Sequence, residues 1–341
     1  MVLDRCSLLD CTLRDGGYIT DWKFGDDMMR SVVKGLVEAK IDYVECGYLN
    51  SKPYEQGSAV FNNIEQIADI LPEDRKDSCI LVMADVAQFA PEDLTPYTGR
   101  SVDGVRVVFY KRQVEEALKL CAAVSEKGYK LIVQPMVTID YTVDEYAQLV
   151  RRIAKLHPYA VSIVDSFGYM DKIDVQKYFR ILDNLLHYEA IIGYHSHNNL
   201  QLAFSTAQDV LTYDTQRHIM IDASLYGMGR GAGNLNTEVI ADFYNRFFGV
   251  KYDISKLLEM VGEFILPIRQ KREWGYSPYL FITGHYHCHP NFACYLLERH
   301  QISVKDFERF VQTIPDEMKT KCRRPYVEEL YQAFIRGGAA S

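Results

Sequence analysis

The stretch AVSIVDSFGYMDKIDVQKYFRILDNLLHYEAIIGYHSHNN, residues 160–199, carries one full repeat of the pattern that decides the fold. Residues 160–165 form a short, near-continuous apolar run rich in β-branched side chains, as expected of a strand covered on both faces. Residues 175–187 follow with helical periodicity, and 191–195 form a second apolar run of strand length. Strand, helix and strand at this spacing read as a parallel βαβ unit.

The same rhythm extends in both directions. Upstream, strand candidates at 6–10, 42–47, 79–84, 104–109 and 129–133 are followed in turn by helical patterns at 27–39, 61–70, a weak one at 86–89, then 113–127 and 143–156. Downstream, a helix at 200–211, a strand at 219–223 and a helix at 237–247 close the series. Eight β-then-α units over about 250 residues predict an α/β fold, a (β/α)8 TIM barrel. An open doubly wound sheet is the alternative, weakened because no Gly-x-Gly-x-x-Gly follows the first strand. After Gly249 the alternation stops. Residues 254–267, 292–299, 304–313 and 326–335 read as helices, and 274–290 is aromatic, glycine-punctuated and histidine-bearing. The expected organisation is a TIM-barrel catalytic domain over 1–249 and a C-terminal helical extension over 250–341 packed on it.

Composition narrows the partners. With 341 residues, 48% of them hydrophobic and 25% charged, the chain is long enough to bury a sizeable core. A net charge of -8 argues against nucleic acid or an anionic membrane as main partner. It leaves room for a small anionic substrate, because one buried arginine or metal dominates locally. Residues 1–5 lack the apolar core of a signal peptide, and no run approaches the ~18 apolar residues of a membrane span. The eight cysteines are scattered with no Cys-x-x-Cys pair, so reduced thiols in a cytoplasmic protein are expected and a zinc–cysteine site is not.

In such a barrel, function collects at the C-terminal ends of the strands. His195 and His197, two residues apart as a strand ends, point the same way. Two adjacent imidazoles suit a divalent metal; the plainer reading is a pair of polar loop histidines. The other strand ends supply what the pair lacks. The first is followed by Arg14-Asp15-Gly16-Gly17, the second ends with Glu45, the sixth with Asp165 and Ser166, and the eighth leads to a glycine-rich loop ending at Asn234. Asp15 is the missing oxygen ligand, and two imidazoles with one carboxylate leave coordination positions open for a substrate. Arg14 beside it can hold an oxygen that the metal also polarises. The two glycines after Asp15 are expected to let the backbone approach a ligand closely.

Asp10-Cys11-Thr12-Leu13-Arg14-Asp15-Gly16-Gly17 resembles the signature of the DRE-TIM metallolyases, the HMGL-like superfamily. The likeness continues through Glu45-Cys46-Gly47, Asp165-Ser166-Phe167-Gly168, His195-Ser196-His197-Asn198 and Gly229-Arg230-Gly231-Ala232-Gly233-Asn234, in order along the whole barrel. It is nearest to the 4-hydroxy-2-oxovalerate aldolase branch. The resemblance implies that Asp15, His195 and His197 bind a divalent metal, with Asn234 near or in its shell. Mn2+ and Mg2+ are the first expectations, and Zn2+, Fe2+ and Co2+ are the others. It implies that Arg14 stabilises an enolate derived from a 2-oxo acid, and that Glu45, Asp165 and Ser166 bind the substrate, although Asp165 could instead only orient its loop.

Departures from the family narrow the reading further. The loop from Gly227 to Asn234 is short and lacks the catalytic cysteine of hydroxymethylglutaryl-CoA lyases, and the tail is too short for the regulatory domain of the acyl-CoA synthases. The aldolases carry a catalytic histidine where this chain has Tyr18, and an active-site tyrosine in the tail where it has His289. Tyr18 and His289 have therefore exchanged places as candidates for proton transfer. The expected activity is that of an aldolase-like lyase working on a 2-oxo acid and an aldehyde. A Claisen-type acyl transferase using acetyl-CoA, and a barrel that has lost catalysis and serves in binding, are the alternatives. The resemblance also carries an acetaldehyde dehydrogenase partner, an expectation that the altered 274–290 segment leaves open; a homodimer is expected from general frequency alone. His285, His287 and His289 could make a second metal site, but no carboxylate accompanies them. Lys111 and Arg112 read as a solvated helix start or as contacts to an anionic substrate.

Overall fold

The computed structural model describes residues 5–338; residues 1–4, part of the segment read for a signal peptide, and 339–341 lie outside the described residues. Eight parallel strands close into a barrel: β1 Cys6–Asp10, β2 Tyr43–Leu49, β3 Cys79–Asp85, β4 Gly104–Phe109, β5 Lys130–Pro135, β6 Ala160–Asp165, β7 Ile191–Ser196 and β8 Ile219–Ala223. Each pairs with the next in sequence, and β1 closes the ring, with Leu9 opposite Tyr43 of β2 and opposite Asp222 of β8. A two-residue strand, Val60–Phe61, adds to the upper end of β2.

Alternation along the strands sorts the interior into layers. Leu9, Tyr43, Leu81, Ile132, Ala160, Ile191 and Met220 form an apolar floor inside the barrel. Two residues further along their strands come Glu45, Gln134, Ser162 and Asp222, with Arg106 beside them on β4, and these polar residues share the layer with Cys11, Met83 and Gly193, all of them buried. The intervening residues, such as Val44, Val105, Val107, Val133, Ile192 and Ile221, face outward into the main core beneath the helices. The period of two thus makes one face of every strand hydrophobic and turns the other from floor to chemistry as it rises.

Helices Asp26–Glu38, Val114–Glu126, Val143–Ala154, Lys172–Leu185, Ala203–Leu211 and Thr237–Phe248 cover the outside. Their starts follow capping chemistry. Asp171 accepts hydrogen bonds from the N–H groups of Ile173 and Asp174, moving one helix start upstream of the expected Val175, and Thr142 and Glu145 form a capping box. Two crossovers differ from expectation. After β2, residues Ile64–Ile70 form a 3-10 helix, not an α-helix. Ile64, Ile67 and Ile70 are the buried residues there, and a strict spacing of three matches three residues per turn, which aligns them on one edge. After β3 the stretch 86–89 is a turn, and only a single 3-10 turn, Pro91–Asp93, follows.

The C-terminal extension has two packing roles. The helix Ile254–Met260 and Trp274 join the barrel core. Lys251 and Tyr252 anchor this segment on Asp42, at 2.6 Å each. Beyond it, Pro278–His285, Asn291–Arg299, Val304–Thr313 and Arg324–Gly338 build a second core around Phe292, Phe307 and Phe310. This cap meets the barrel's upper loops: Asn199 donates to the carbonyl of Leu280 at 3.2 Å, and Trp274 to that of Tyr226 at 3.2 Å. Among the described residues no helix is long and apolar enough to cross a membrane, and none of the eight cysteines is in a disulfide.

Candidate metal centre

The loop after β1 folds into two short helical turns, Thr12–Asp15 and Gly17–Thr20, that bring Asp15 over the barrel mouth. Asp10 begins this turn by accepting the N–H of Thr12 at 2.9 Å. The two glycines that follow have a different role from the one expected of them. A Cβ on Gly17 would collide with the Trp22 ring and one on Gly16 with Met228. They allow tight packing of the turn, not approach to a ligand. Gly229 in the loop after β8 acts at the centre itself, since a Cβ there would meet both Asp15 and Asn234.

Asp15, after β1, and His195 and His197, at the end of β7, converge across the intervening β8, each offering a ligand atom within 4.8 Å of the others, and all three are buried. The His197 Nε2 lies 3.8 Å from Asp15 Oδ2, and the two imidazoles stand edge to face with centroids 5.2 Å apart. Three further observations fit a cation. Burial pushes the His197 imidazole down to about 3, so it is neutral and has a lone pair to give. The Nδ1 of His195 lies 3.1 Å from the Asp222 carboxylate, a neighbour of the kind that orients a metal-binding imidazole. Asn234 donates to Asp15 Oδ2 at 2.6 Å, while its own Oδ1 is buried without a partner. Burial alone would raise the Asp15 carboxyl, but Arg14, His197 and His195 outweigh it and hold Asp15 well below the usual carboxylate range.

Beneath the triad runs a buried ionic chain. Arg14 pairs with Asp15 and, through Nε at 2.8 Å, with Glu45. Glu45 also accepts from Arg106 at 2.8 Å, and Arg106 pairs with Asp222, which faces His195. The chain thus ties one metal-ligand candidate on the β1 loop to another on β7. Arg106 and Asp222 were not anticipated. Their signal was present: each is a charged residue inside an apolar strand run, GVRVVF and IMIDA. In a barrel strand of period two, such a residue points to the interior and needs a partner there.

Above the chain a cavity of about 80 Å3 is lined by Arg14, Asp15, Tyr18, Tyr48, Gln134, Ser166, His195, His197 and Arg230, among others. About 10–15 Å3 of such space holds one water, so it admits on the order of six heavy atoms. The Nη2 of Arg14 and the Nε of Arg230 are buried without partners, and Arg230 otherwise donates to the carbonyl of Ser166 at 3.2 Å and covers the Tyr18 ring.

The remaining expected residues fall in distinct places. Ser166 lines the cavity, and its hydroxyl accepts the Val137 N–H at 2.9 Å. Glu45 lies below the cavity between the two arginines. Asp165 turns back into its own loop, where its carboxylate accepts the N–H groups of Tyr169 at 3.1 Å and Met170 at 3.2 Å, and burial raises it to about 7. Tyr18 lines the cavity and is 36% exposed, its hydroxyl 3.4 Å from that of Tyr48. His289 comes from the cap, packs on Phe167 and accepts the Asn291 N–H on Nδ1 at 3.0 Å. Burial, with Arg230 and His197 nearby, keeps it neutral, so its Nε2 carries a hydrogen. The other histidines of that segment do not converge with it: His287 stacks on Tyr169 and His285 on Phe281. Lys111 pairs with Glu145 on an exposed face, away from the cavity.

The model of the HMGL-like family matches residues 5–262. An oxaloacetate decarboxylase of Mycobacterium tuberculosis is 24% identical over 282 residues, covering 81% of each chain. A 4-hydroxy-2-oxovalerate aldolase of Bacillus cereus is 24% identical over 267 residues, covering 76% of each. Among solved structures, the N-terminal domain of a candidate aldolase from Bacteroides vulgatus superposes with a TM-score of 0.68 at 25% identity, over 90% of this chain and 97% of that one.

Proposed function

This chain belongs to the HMGL-like family, and on that premise we propose that it is a divalent-metal-dependent carbon–carbon lyase of the aldolase type, acting on a 2-oxo acid. The observation that carries the reading is the meeting of Asp15, His195 and His197 with the unpartnered Nη2 of Arg14 at one small cavity. Decarboxylation of oxaloacetate and aldol cleavage of a 4-hydroxy-2-oxo acid both leave the enolate of pyruvate, so a site that stabilises this enolate serves either.

A divalent ion held by Asp15, His195 and His197, with Asn234 beside them, supplies Lewis-acid polarisation of a carbonyl oxygen, and the mixed nitrogen–oxygen donor set suits Mn2+ or Mg2+ first, then Fe2+, Co2+ or Zn2+. Around it Arg14, Arg106 and Arg230 stand against Asp15, Glu45 and Asp222, and Asp85 also lines the cavity. Arg14 is pinned by two carboxylates and cannot swing away, so its free Nη2 is preorganised for the oxygen on which charge develops. Arg230, without a carboxylate partner among the described residues, is placed for the substrate carboxylate. Tyr18 is the better placed proton carrier, because it lines the cavity. His289 does not, and its hydrogen-bearing Nε2 suits it to donate.

The cavity's size favours a small 2-oxo acid, and the eight unpaired cysteines support operation in a reducing cytoplasm. The test is Asp15→Ala. Loss of bound Mn2+ together with at least a hundredfold lower turnover of a 2-oxo acid substrate is expected; a variant that keeps both its metal and its activity would sink the assignment.

A further inference from the structure

A second cavity of about 230 Å3 adjoins the first, and Tyr18, Tyr48 and Asp85 line both. It is lined by Tyr18 and Trp22 from the loop after β1, by the ends of β2 and β3, and by Asn50, Val60 and Gln88 from the segments that follow those two strands.

The two walls differ in chemistry. One is aromatic: Tyr18 and Tyr48 each stand edge to face against Trp22, with centroids 4.8 and 5.7 Å apart. The other is a chain of polar side chains. The amide of Asn50 donates to Gln88 Oε1 at 2.8 Å, and Gln88 donates weakly to Asp85 Oδ2 at 3.4 Å. Asp85 Oδ1 is fixed by the N–H of Ala87 at 2.8 Å. The second amide hydrogens and carboxylate lone pairs of this chain stay open, which gives donors and acceptors in alternation. Among the described residues the lining holds no arginine, lysine or histidine, so nothing there would compensate a phosphate or a carboxylate. A lining that combines aromatic rings with fixed amides and a carboxylate fits a ligand with C–H faces and vicinal hydroxyls. By the same allowance per water, the chamber admits on the order of fifteen heavy atoms. A two-carbon aldehyde would fill only a corner of it.

We propose that this chamber binds the carbonyl partner of the 2-oxo acid, and that this partner is an uncharged polyhydroxylated aldehyde of the aldose type. The inference rests on the lyase reading above and names the substrate class for the same site. The enolate carbon, C3 of pyruvate, forms a bond to the aldehyde carbon at the junction of the two cavities. The carbonyl π pair moves to the aldehyde oxygen, which takes a proton from Tyr18. Tyr18, entering as the phenolate, takes the proton that leaves C3 as the enolate forms, and this is the proton it gives to the new hydroxyl, so no co-reactant is needed. Tyr18 lines both cavities, together with Tyr48 and Asp85.

The test uses the full chain loaded with Mn2+ and pyruvate, offered D-erythrose, D-glyceraldehyde, glyceraldehyde 3-phosphate, acetaldehyde or butyraldehyde, with product formation followed by NMR. In parallel, exchange of the pyruvate methyl hydrogens in D2O reports enolate formation without any aldehyde. We expect kcat/KM for D-erythrose at least tenfold above that for acetaldehyde, and no gain from the phosphate. In Asn50→Leu and Gln88→Leu the erythrose-to-acetaldehyde ratio should fall at least fivefold. Methyl exchange combined with equal or better use of the unhydroxylated aldehydes by the wild-type protein overturns this proposal alone. Absence of methyl exchange with metal bound overturns the lyase reading, and this proposal with it. The wild-type ratio decides the matter even if a variant fails to fold.

Discussion

Glu45 shows how much of this centre is held together by charges below the cavity. Its buried carboxylate accepts from both Arg14 and Arg106, each at 2.8 Å. A buried ion pair adds little net stability over an apolar replacement, but removing one partner leaves uncompensated charge behind. Glu45→Gln keeps the shape and removes the charge between two guanidiniums. We expect a loss of about 3 kcal/mol in unfolding free energy, measured by urea denaturation. A change within about 0.5 kcal/mol, the usual range for surface substitutions, would mean that the chain of charges is not what fixes Arg14. The motif around Glu45 implied a substrate contact; the structure sets its carboxylate between two guanidiniums below the cavity. The reason is geometric: whether a carboxylate faces a cavity or two arginines depends on which strands are neighbours across the barrel interior, and no single stretch contains that.

At the scale of elements, the join between β1 and the helix Thr237–Phe248 carries a pH signature. Asp10 ends β1, and Thr237 donates to its carboxylate at 2.6 Å while the Thr12 N–H donates at 2.9 Å. Burial pushes this carboxyl up to about 6 in spite of those hydrogen bonds, from an ordinary value of 3.8. The native state therefore keeps a proton that the unfolded chain releases. This contribution to stability is full below the unfolded value and is lost as pH rises through about 6. In Asp10→Asn the loss is absent, so the variant should gain on the wild type between pH 4 and 6 and hold a constant difference above that. A difference independent of pH over this interval would contradict the assignment. The strands were legible because each is an apolar run bounded by turn residues; the β4, β6 and β8 bounds agree with the sequence reading residue for residue. The crossovers after β2 and β3 were less so. A helical pattern of seven residues with isoleucines every third position satisfies a 3-10 turn as readily as an α-helix, and the contact with the barrel decides between them. Asp15, His195 and His197 were legible because strand ends of a closed barrel converge whatever the loops do. The partners Arg106 and Asp222 were hidden by their setting within strands that read as core.

For the whole molecule, the centre acts as a clasp. Asp15 rides on the loop after β1, His195 and His197 end β7, and the cap holds the loop of Asn199 through Leu280 and Thr283. An ion that binds only the folded state at about 100 times its dissociation constant adds about 2.7 kcal/mol. For a chain of this size, Mn2+ should raise Tm by about 5 °C, EDTA should reverse the rise, and Asp15→Ala should show none. An equal rise in the variant would place the ion elsewhere. The central claim is that these residues create the enolate of a 2-oxo acid, and the most direct measurement is exchange of the pyruvate methyl hydrogens in D2O, followed by NMR. The account predicts exchange that requires the full chain and a divalent ion, stops with EDTA, and falls at least a hundredfold in Asp15→Ala. Pyruvate that keeps its hydrogens in the presence of metal-loaded, folded protein would contradict it.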